Sequence, residues 1–263
     1  MSSVNDPHLL VLSFMLIVGR VGAFVATIPL FGDRRLPNQV KIGLVLALST
    51  LWLVQNGENP TTITAVRTIA TSHWLAYVVA LISEMLMGAV LGFAFSLFLL
   101  PLRIAGAYIG QEMGLTFATL ASPTSAESTN VVSQFMEAVG ILLLLSLDVH
   151  HLFLAAMDLS FQRWPLGAGW APLPTSALIH GVDRSHHLGL LIAAPVGVCL
   201  FITMIALLLL ARTVPQLNLF SIGLAIRIAA GFCALLLFLP EVVSVTQGVY
   251  ADMTGFVYLL LAM

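Results

Sequence analysis

The sequence predicts an all-α, polytopic helical membrane protein with bent or hairpinned helices, and three observations carry that prediction. Apolar residues make up 59% of the 263-residue chain and charged residues 8%, whereas soluble domains carry about a quarter charged residues. So few charges cannot solvate a globular surface, and the mean hydropathy of +1.03 agrees. Several apolar runs reach the roughly 20 residues that a helix needs to cross hydrocarbon. Other runs are short or broken by single charges and files of glycine. That pattern suits helices enclosed by an assembly better than straight spans in lipid.

Taken in order, residues 9–31 are long enough to span and contain one charge, Arg20. The segment Met1-Ser2-Ser3-Val4-Asn5-Asp6 lacks the basic start of a signal peptide, so this first run is expected to be retained. Residues 74–100 span with one charge, Glu84, and residues 188–211 span with none. Residues 42–54 and 228–239 are too short for lipid-facing spans and read as buried, re-entrant or half-inserted helices. Residues 131–147 are long enough but hold Gln134 and Glu137, and residues 219–239 are long enough only across Arg227. Loops are expected at 32–38, 56–62 and 122–130, with 164–184 the longest stretch without helix, because Pro, Gly and polar residues cluster there. No tandem repeat or second domain is visible, so residues 1–263 read as one domain.

The net charge of −2 and the lack of a basic stripe exclude nucleic acid as a partner. Cys199 and Cys233 lie inside apolar runs without metal-ligand spacing. Arg34, Arg35 and Lys41 form the densest basic cluster; positive charge favours the cytoplasmic side, which places the N-terminus outside.

Small residues recur at every fourth position in two files, Gly88, Gly92 and Ser96, then Gly106, Gly110, Gly114 and Ala118. Each file occupies one helix face, and a face without side chains lets another backbone approach closely. The spacing is compatible with packing inside the chain and with packing between subunits or around a narrow pore. Each glycine also weakens a helix by about 1 kcal/mol relative to alanine. Residues 106–118 therefore read as a poor helix that runs into Ser122-Pro123, an internal apolar loop carrying Met113, Leu115, Phe117 and Leu120 and suited to sealing a pore.

Charges within apolar runs are functional candidates by default. Arg103, Asp148, Asp158 and Arg212 read as helix ends; Arg20, Glu84, Glu137 and Arg227 read as charges that pair in a core, and Glu112 needs a partner or an open vestibule. The pairs His150-His151 and His186-His187 point about 100° apart on a helix and make poor joint metal ligands. No zinc-helix motif, nucleophile elbow or phosphate loop occurs, so neither an enzyme, a cofactor nor a metal is expected.

At this point the sequence resembles the FliR family, subunits of the flagellar type III export gate. The stretches that carry the likeness are Pro29-Leu30-Phe31-Gly32 with Arg34-Arg35-Leu36-Pro37 and Val40-Lys41-Ile42-Gly43; Ile109-Gly110 with Met113 to Pro123; Val132-Ser133-Gln134 leading to Leu147-Asp148-Val149-His150-His151; Ala194-Pro195-Val196; and Pro215-Gln216-Leu217-Asn218 to Gly223. Their order holds from about residue 9 to 240. The chain departs from the family pattern at Gln111-Glu112, Ser122 and Ala225.

The resemblance implies a non-enzymatic subunit of FliP/FliQ/FliR-type architecture. It would join FliP-like and FliQ-like subunits and an FlhB-like subunit in the bacterial inner membrane, at the flagellar basal body, with part of the chain above the bilayer on the periplasmic side. Its substrates would be unfolded export proteins, and it would contact membrane lipid. The family loop corresponds to a pore plug of Gly110, Met113, Gly114, Leu115, Thr116, Phe117, Ala118, Thr119 and Leu120. Gly88, Gly92, Ser96 and Gly106 are expected in close helix packing, and Pro29, Phe31, Pro37, Lys41, Pro215, Gln216, Asn218 and Gly223 in assembly. A homologous subunit serves the virulence (injectisome) secretion systems. A stand-alone secondary transporter or channel is the competing class, and such proteins often show the internal repeats that are missing here.

Overall fold

The structure, a computed structural model, describes residues 7–28, 37–56, 60–115, 130–167, 175–214, 219–252 and 255. These form helices α1 (Pro7–Thr27), α2 (Asn38–Asn56), α3 (Pro60–Thr71), α4 (Trp74–Glu112), α5 (Val131–Ser146), α6 (Val149–Arg163), α7 (Thr175–Thr213) and α8 (Leu219–Ala251), with no strand among the described residues. α1, α4, α7 and residues 222–251 of α8 are long and apolar enough to cross a membrane. The protein is a multi-pass helical membrane protein.

Sequence reasoning made helices too short in three places. Residues 228–239 are part of the continuous α8, whose outward Phe232, Leu236 and Leu237 are exposed; neither Arg227, Pro240 nor Glu241 ends it. Residues 175–184, expected as loop, form the start of α7. Residues 106–112, expected as poor helix, continue α4 to Glu112. At residues 106–112 close packing against the chain from Asn130 to Ser133 outweighs a propensity cost of about 1 kcal/mol per glycine. The helix α3 was not anticipated; it opens on Pro60, whose missing N–H and fixed φ suit a first helical position.

The described residues divide into two compact units. The first draws on residues 1–96 and 149–179, the second on 97–148 and 180–253.

In the first unit α1 packs against α2 and α3. Its centre is a buried cation. Arg20 is 1% exposed and Glu84 3%. Arg20 Nε donates to Glu84 Oε2 at 2.5 Å, Nη1 to Ser160 O at 3.2 Å and Oγ at 3.4 Å, and Nη2 to Trp164 O at 3.1 Å. The guanidinium carbon lies 4.5 Å from the Phe161 ring centre. The other Glu84 oxygen accepts from Gly167 N at 3.0 Å. One side chain therefore ties α1 to α4, to α6 and to the turn that follows α6. Glycine makes this approach possible: a Cβ at Gly88 would overlap the Arg20 carbonyl oxygen, and one at Gly92 would overlap Thr27 and the Phe24 carbonyl. Phe24, Phe95 and Phe153 extend the same core, with centroids 5.9 and 4.4 Å apart.

The second unit is built on Ile109, Met113, Met136, Ile192, Val196, Leu235 and their neighbours. Pro101 sits inside α4 and has no N–H to offer Leu97 O. Ser185 of α7 covers that carbonyl, its Oγ 2.9 Å away. The same hydroxyl lies 2.6 Å from Gly181 O, so its one proton serves one acceptor at a time. Tyr250 Oη donates to Gly140 O at 3.0 Å, joining α8 to α5. At Gly189 an added Cβ would press on Ile104 and on Pro101 O.

Between α5 and α6 the chain breaks. Leu147 N still bonds Leu143 O at 3.0 Å, and Asp148 then adopts φ +55°, which ends the helix.

Two outcomes follow. Replacing one member of the buried pair, as Arg20→Met or Glu84→Leu, strands the other charge and is expected to cost about 3–5 kcal/mol. The double replacement should recover part of the loss in thermal unfolding of the detergent-solubilised chain, and single variants that melt like wild type would refute the assignment. Gly106→Leu should destabilise the isolated chain by about 1–3 kcal/mol through overpacking; an unchanged melting temperature would mean that this face packs elsewhere.

Candidate functional site

The expected plug begins where α4 ends, and that end has a defined geometry. Leu115 N donates to Gly110 O at 3.0 Å, and Gly114 N donates to Gln111 O at 3.0 Å. Gly114 carries φ +81°. These are the two bonds and the left-handed residue of a Schellman terminus, for which glycine is the favoured residue. Leu115 folds back, half-buried, on the core that contains Ile109.

Met113 is fully buried. Its side chain fills the space over Gly231 of α8, where an added Cβ would lie 2.5 Å from Met113 Cγ. The remaining plug candidates, Thr116, Phe117, Ala118, Thr119 and Leu120, lie outside the described residues.

Asn130 lies against α4. Asn130 caps α5, its Oδ1 accepting from Val132 N at 3.0 Å. Its Nδ2 donates towards Gly106 O (3.4 Å) and Ala107 O (3.5 Å) of α4. The absence of side chains at 106 and 110 allows this: a Cβ at Gly106 would stand 2.5 Å from Ser133 Cα, and one at Gly110 would collide with the Asn130 amide. Ser133 Oγ adds a bond to Arg103 O at 3.0 Å. Both ends of segment 116–129 are thus held on the same two turns of α4.

The structure brings the charges together in part as expected. Arg20 pairs with Glu84, and Glu137 pairs with Arg103. Arg103 is a correction, since it lies in the interior of α4 rather than at a helix end. Asp158 is another: it lies inside α6, accepting from Gln55 Nε2 at 3.1 Å and Gln162 Nε2 at 2.8 Å. Asp148 and Arg212 do lie at helix ends. Arg227 is half-buried on α8, with no hydrogen bond or ion pair among the described residues, and Glu112 is exposed.

Gly88, Gly92 and Gly106 pack within the chain, while Ser96 Oγ turns back to Phe93 O at 2.7 Å. Pro37 opens α2, its carbonyl accepting from Val40 N at 3.0 Å and Lys41 N at 3.4 Å. Gly223 is buried near Leu207. Pro29, Phe31, Pro215, Gln216 and Asn218 lie outside the described residues. Sequence reasoning missed Asn130, Ser160, Gly167 and Ser185. Only Asn130 carried a usable signal, as a capping residue before an apolar run.

A family model described as "Bacterial export proteins, family 1" matches residues 11–253. The flagellar biosynthetic protein FliR of Pectobacterium carotovorum is 32% identical over 237 residues, covering 89% of this chain and 86% of the relative. FliR of Bacillus subtilis is 29% identical over 243 residues, covering 91% and 90%. FliR of Escherichia coli is 27% identical over 237 residues, covering 89% and 86%. With the family model spanning nearly the whole chain, and the Pectobacterium protein alike over most of both lengths, this chain belongs to the FliR family of flagellar biosynthetic proteins, among the bacterial export proteins of family 1.

Proposed function

We propose that this chain is a non-enzymatic subunit of the flagellar type III protein export gate. With FliP-like, FliQ-like and FlhB-like subunits it forms, in the bacterial inner membrane at the flagellar basal body, the closed pore through which unfolded flagellar proteins leave. The carrying observation is the family membership over residues 11–253. The relatives reported above bear flagellar names, which favours this reading over the homologous virulence system.

Two physical features support an assembly. α4 and α7 have 39 residues each and α8 has 33. At about 1.5 Å per residue these measure roughly 58 and 50 Å, against a hydrocarbon core of about 30 Å. Such helices extend beyond the hydrocarbon, in keeping with a chain that stands partly above the bilayer on the periplasmic side. On α8, Arg227 and Glu241 are separated by roughly 21 Å along the axis. That is shorter than the hydrocarbon thickness, so lipid alone would immerse charge, and flanking subunits with polar groups relieve that cost.

In this reading the plug has two parts. Met113 and the Gly114 terminus anchor it in the core of the second unit, and Thr116, Phe117, Ala118, Thr119 and Leu120 seal the pore. Asn130 holds the far end of the segment to α4, so the seal yields to a passing polypeptide without its base moving.

A clean deletion of the gene should leave cells non-motile with filament protein retained inside; normal motility would end this reading. In cells that express the whole gate, deleting residues 113–117 should collapse the membrane potential reported by a fluorescent dye. A potential equal to that of the wild-type gate would remove the plug assignment while leaving the subunit assignment standing.

A further inference from the structure

Three metal-ligating side chains meet where α5 gives way to α6, and the export reading does not use them. Asp148, His150 and His151 each place one donor atom, a carboxylate oxygen or an imidazole nitrogen, within 4.8 Å of the other two. They lie on one short stretch of chain, so their spacing is set by the local backbone and side-chain torsions. On an ideal helix adjacent side chains diverge by about 100°, which is why sequence spacing marked the two histidines as poor joint ligands. In the structure their rings do not diverge. The ring centres lie 4.3 Å apart and the planes are tilted by 35°. Asp148 reaches the same place from the residue before α6, at φ +55°.

No contact within the protein accounts for this convergence. An aspartate just before a helix is a favoured N-cap, yet the Asp148 side chain has no hydrogen bond or ion pair among the described residues. The same holds for the side chains of His150 and His151, which touch only each other's rings. Water can serve Asp148 and His151, which are exposed. It does not reach His150 Nδ1, which is buried and has no hydrogen-bond partner, although buried polar atoms normally have one.

We propose that Asp148, His150 and His151 bind one divalent transition-metal ion of the zinc class. Two imidazoles and one carboxylate form a known class of three-ligand zinc site. The donor set discriminates against Mg²⁺ and Ca²⁺, which take oxygen ligands, and against Cu(I), which prefers sulfur. At zinc bond lengths of about 2.0–2.2 Å, tetrahedral donors stand roughly 3.4 Å apart. Donors already within 4.8 Å need only modest side-chain rotation to close on an ion. The fourth position stays open to water or to a group from another chain. Such a chelate holds Asp148 in its left-handed conformation, because both histidines belong to the first turn of α6. The site is independent of the export reading.

The test uses the full chain, purified in mild detergent without a histidine tag and stripped with a chelator. Calorimetric titration with Zn²⁺ alone should show one saturable site per chain. Co²⁺ in its place should give the visible absorption of a four-coordinate ion, and Mg²⁺ should give neither signal. His150→Gln, His151→Gln and Asp148→Asn should each weaken Zn²⁺ binding at least tenfold, since loss of even an outer partner weakens metal sites about 10–100-fold. His186 and His187 on α7, adjacent and exposed, are the control; replacing both by Gln should leave the titration unchanged. A wild-type chain that takes up no Zn²⁺ saturably, or binds Mg²⁺ as well, overturns the proposal. So does Zn²⁺ binding that survives the His150 and His151 substitutions or vanishes with His186 and His187, which marks an adventitious ion only. If a histidine variant fails to fold, the exposed Asp148→Asn decides, and wild-type affinity in that variant refutes the site.

Discussion

The first unit depends on one guanidinium that has no access to water. A buried arginine carries five N–H donors and a charge that cannot be discharged. Transferring it from water costs several kcal/mol unless every part finds a partner. Here Glu84 supplies the countercharge, Ser160 and Trp164 supply carbonyls, and the ring of Phe161 lies against the carbon. The partners come from α1, α4, α6 and the turn beyond α6, so satisfying the charge determines how those pieces meet. Apolar packing alone does not impose such a register in lipid, because hydrocarbon solvates leucine as well as another leucine does. A buried ion pair is weak evidence for net stability, but an arrangement that strands any of its members is excluded.

The second unit meets the same constraint with neutral groups. Pro101 frees a carbonyl in the middle of a spanning helix, and hydrocarbon offers no donor to replace the lost bond. Ser185 from α7 is the replacement, and because its hydroxyl can also return to Gly181 it couples the two helices without adding a charge. Tyr250 reaches Gly140 O in α5, and Asn130 reaches carbonyls of α4. These three contacts fall where a proline, a helix start or a glycine exposes backbone that lipid cannot serve.

The class of fold was legible in the sequence because composition and run length are set by the solvent. Three of the four spanning helices were evident from apolar runs alone, and Arg20 with Glu84 stood out as charges in the wrong medium. The extent of the helices was not legible. Arg227 and Pro240 look like terminators on a one-dimensional scale, yet α8 passes through both. A half-buried arginine lays its stem along apolar neighbours, and a proline late in a long helix removes only one bond. Pairing was legible only in kind. Glu137 needed a cation, but nothing in its own run pointed to Arg103, which lies 34 residues earlier and one helix away.

The files of small residues show why spacing alone leaves function open. Gly106, Gly110 and Gly114 share one period, and from sequence they read as one surface. In the structure each omits a side chain for a different reason. Gly106 admits the backbone of Ser133, so α4 and α5 approach at main-chain distance. Gly110 leaves the seat that the Asn130 amide occupies, which brings the returning chain back to its point of departure. Gly114 adopts a left-handed φ that a residue with a Cβ adopts only at a cost of about 1–2 kcal/mol. Close approach, anchoring and termination thus follow one another down a single helix face over two turns. A helix that needs all three in that order, immediately before an apolar segment, is built to stop at a fixed point and hold what comes next. Met113, fully buried over Gly231 and lying between the second and third of these glycines, seats that end in the core of the second unit. Whatever residues 116–129 do, they do it from a base that the packing of the second unit has already set.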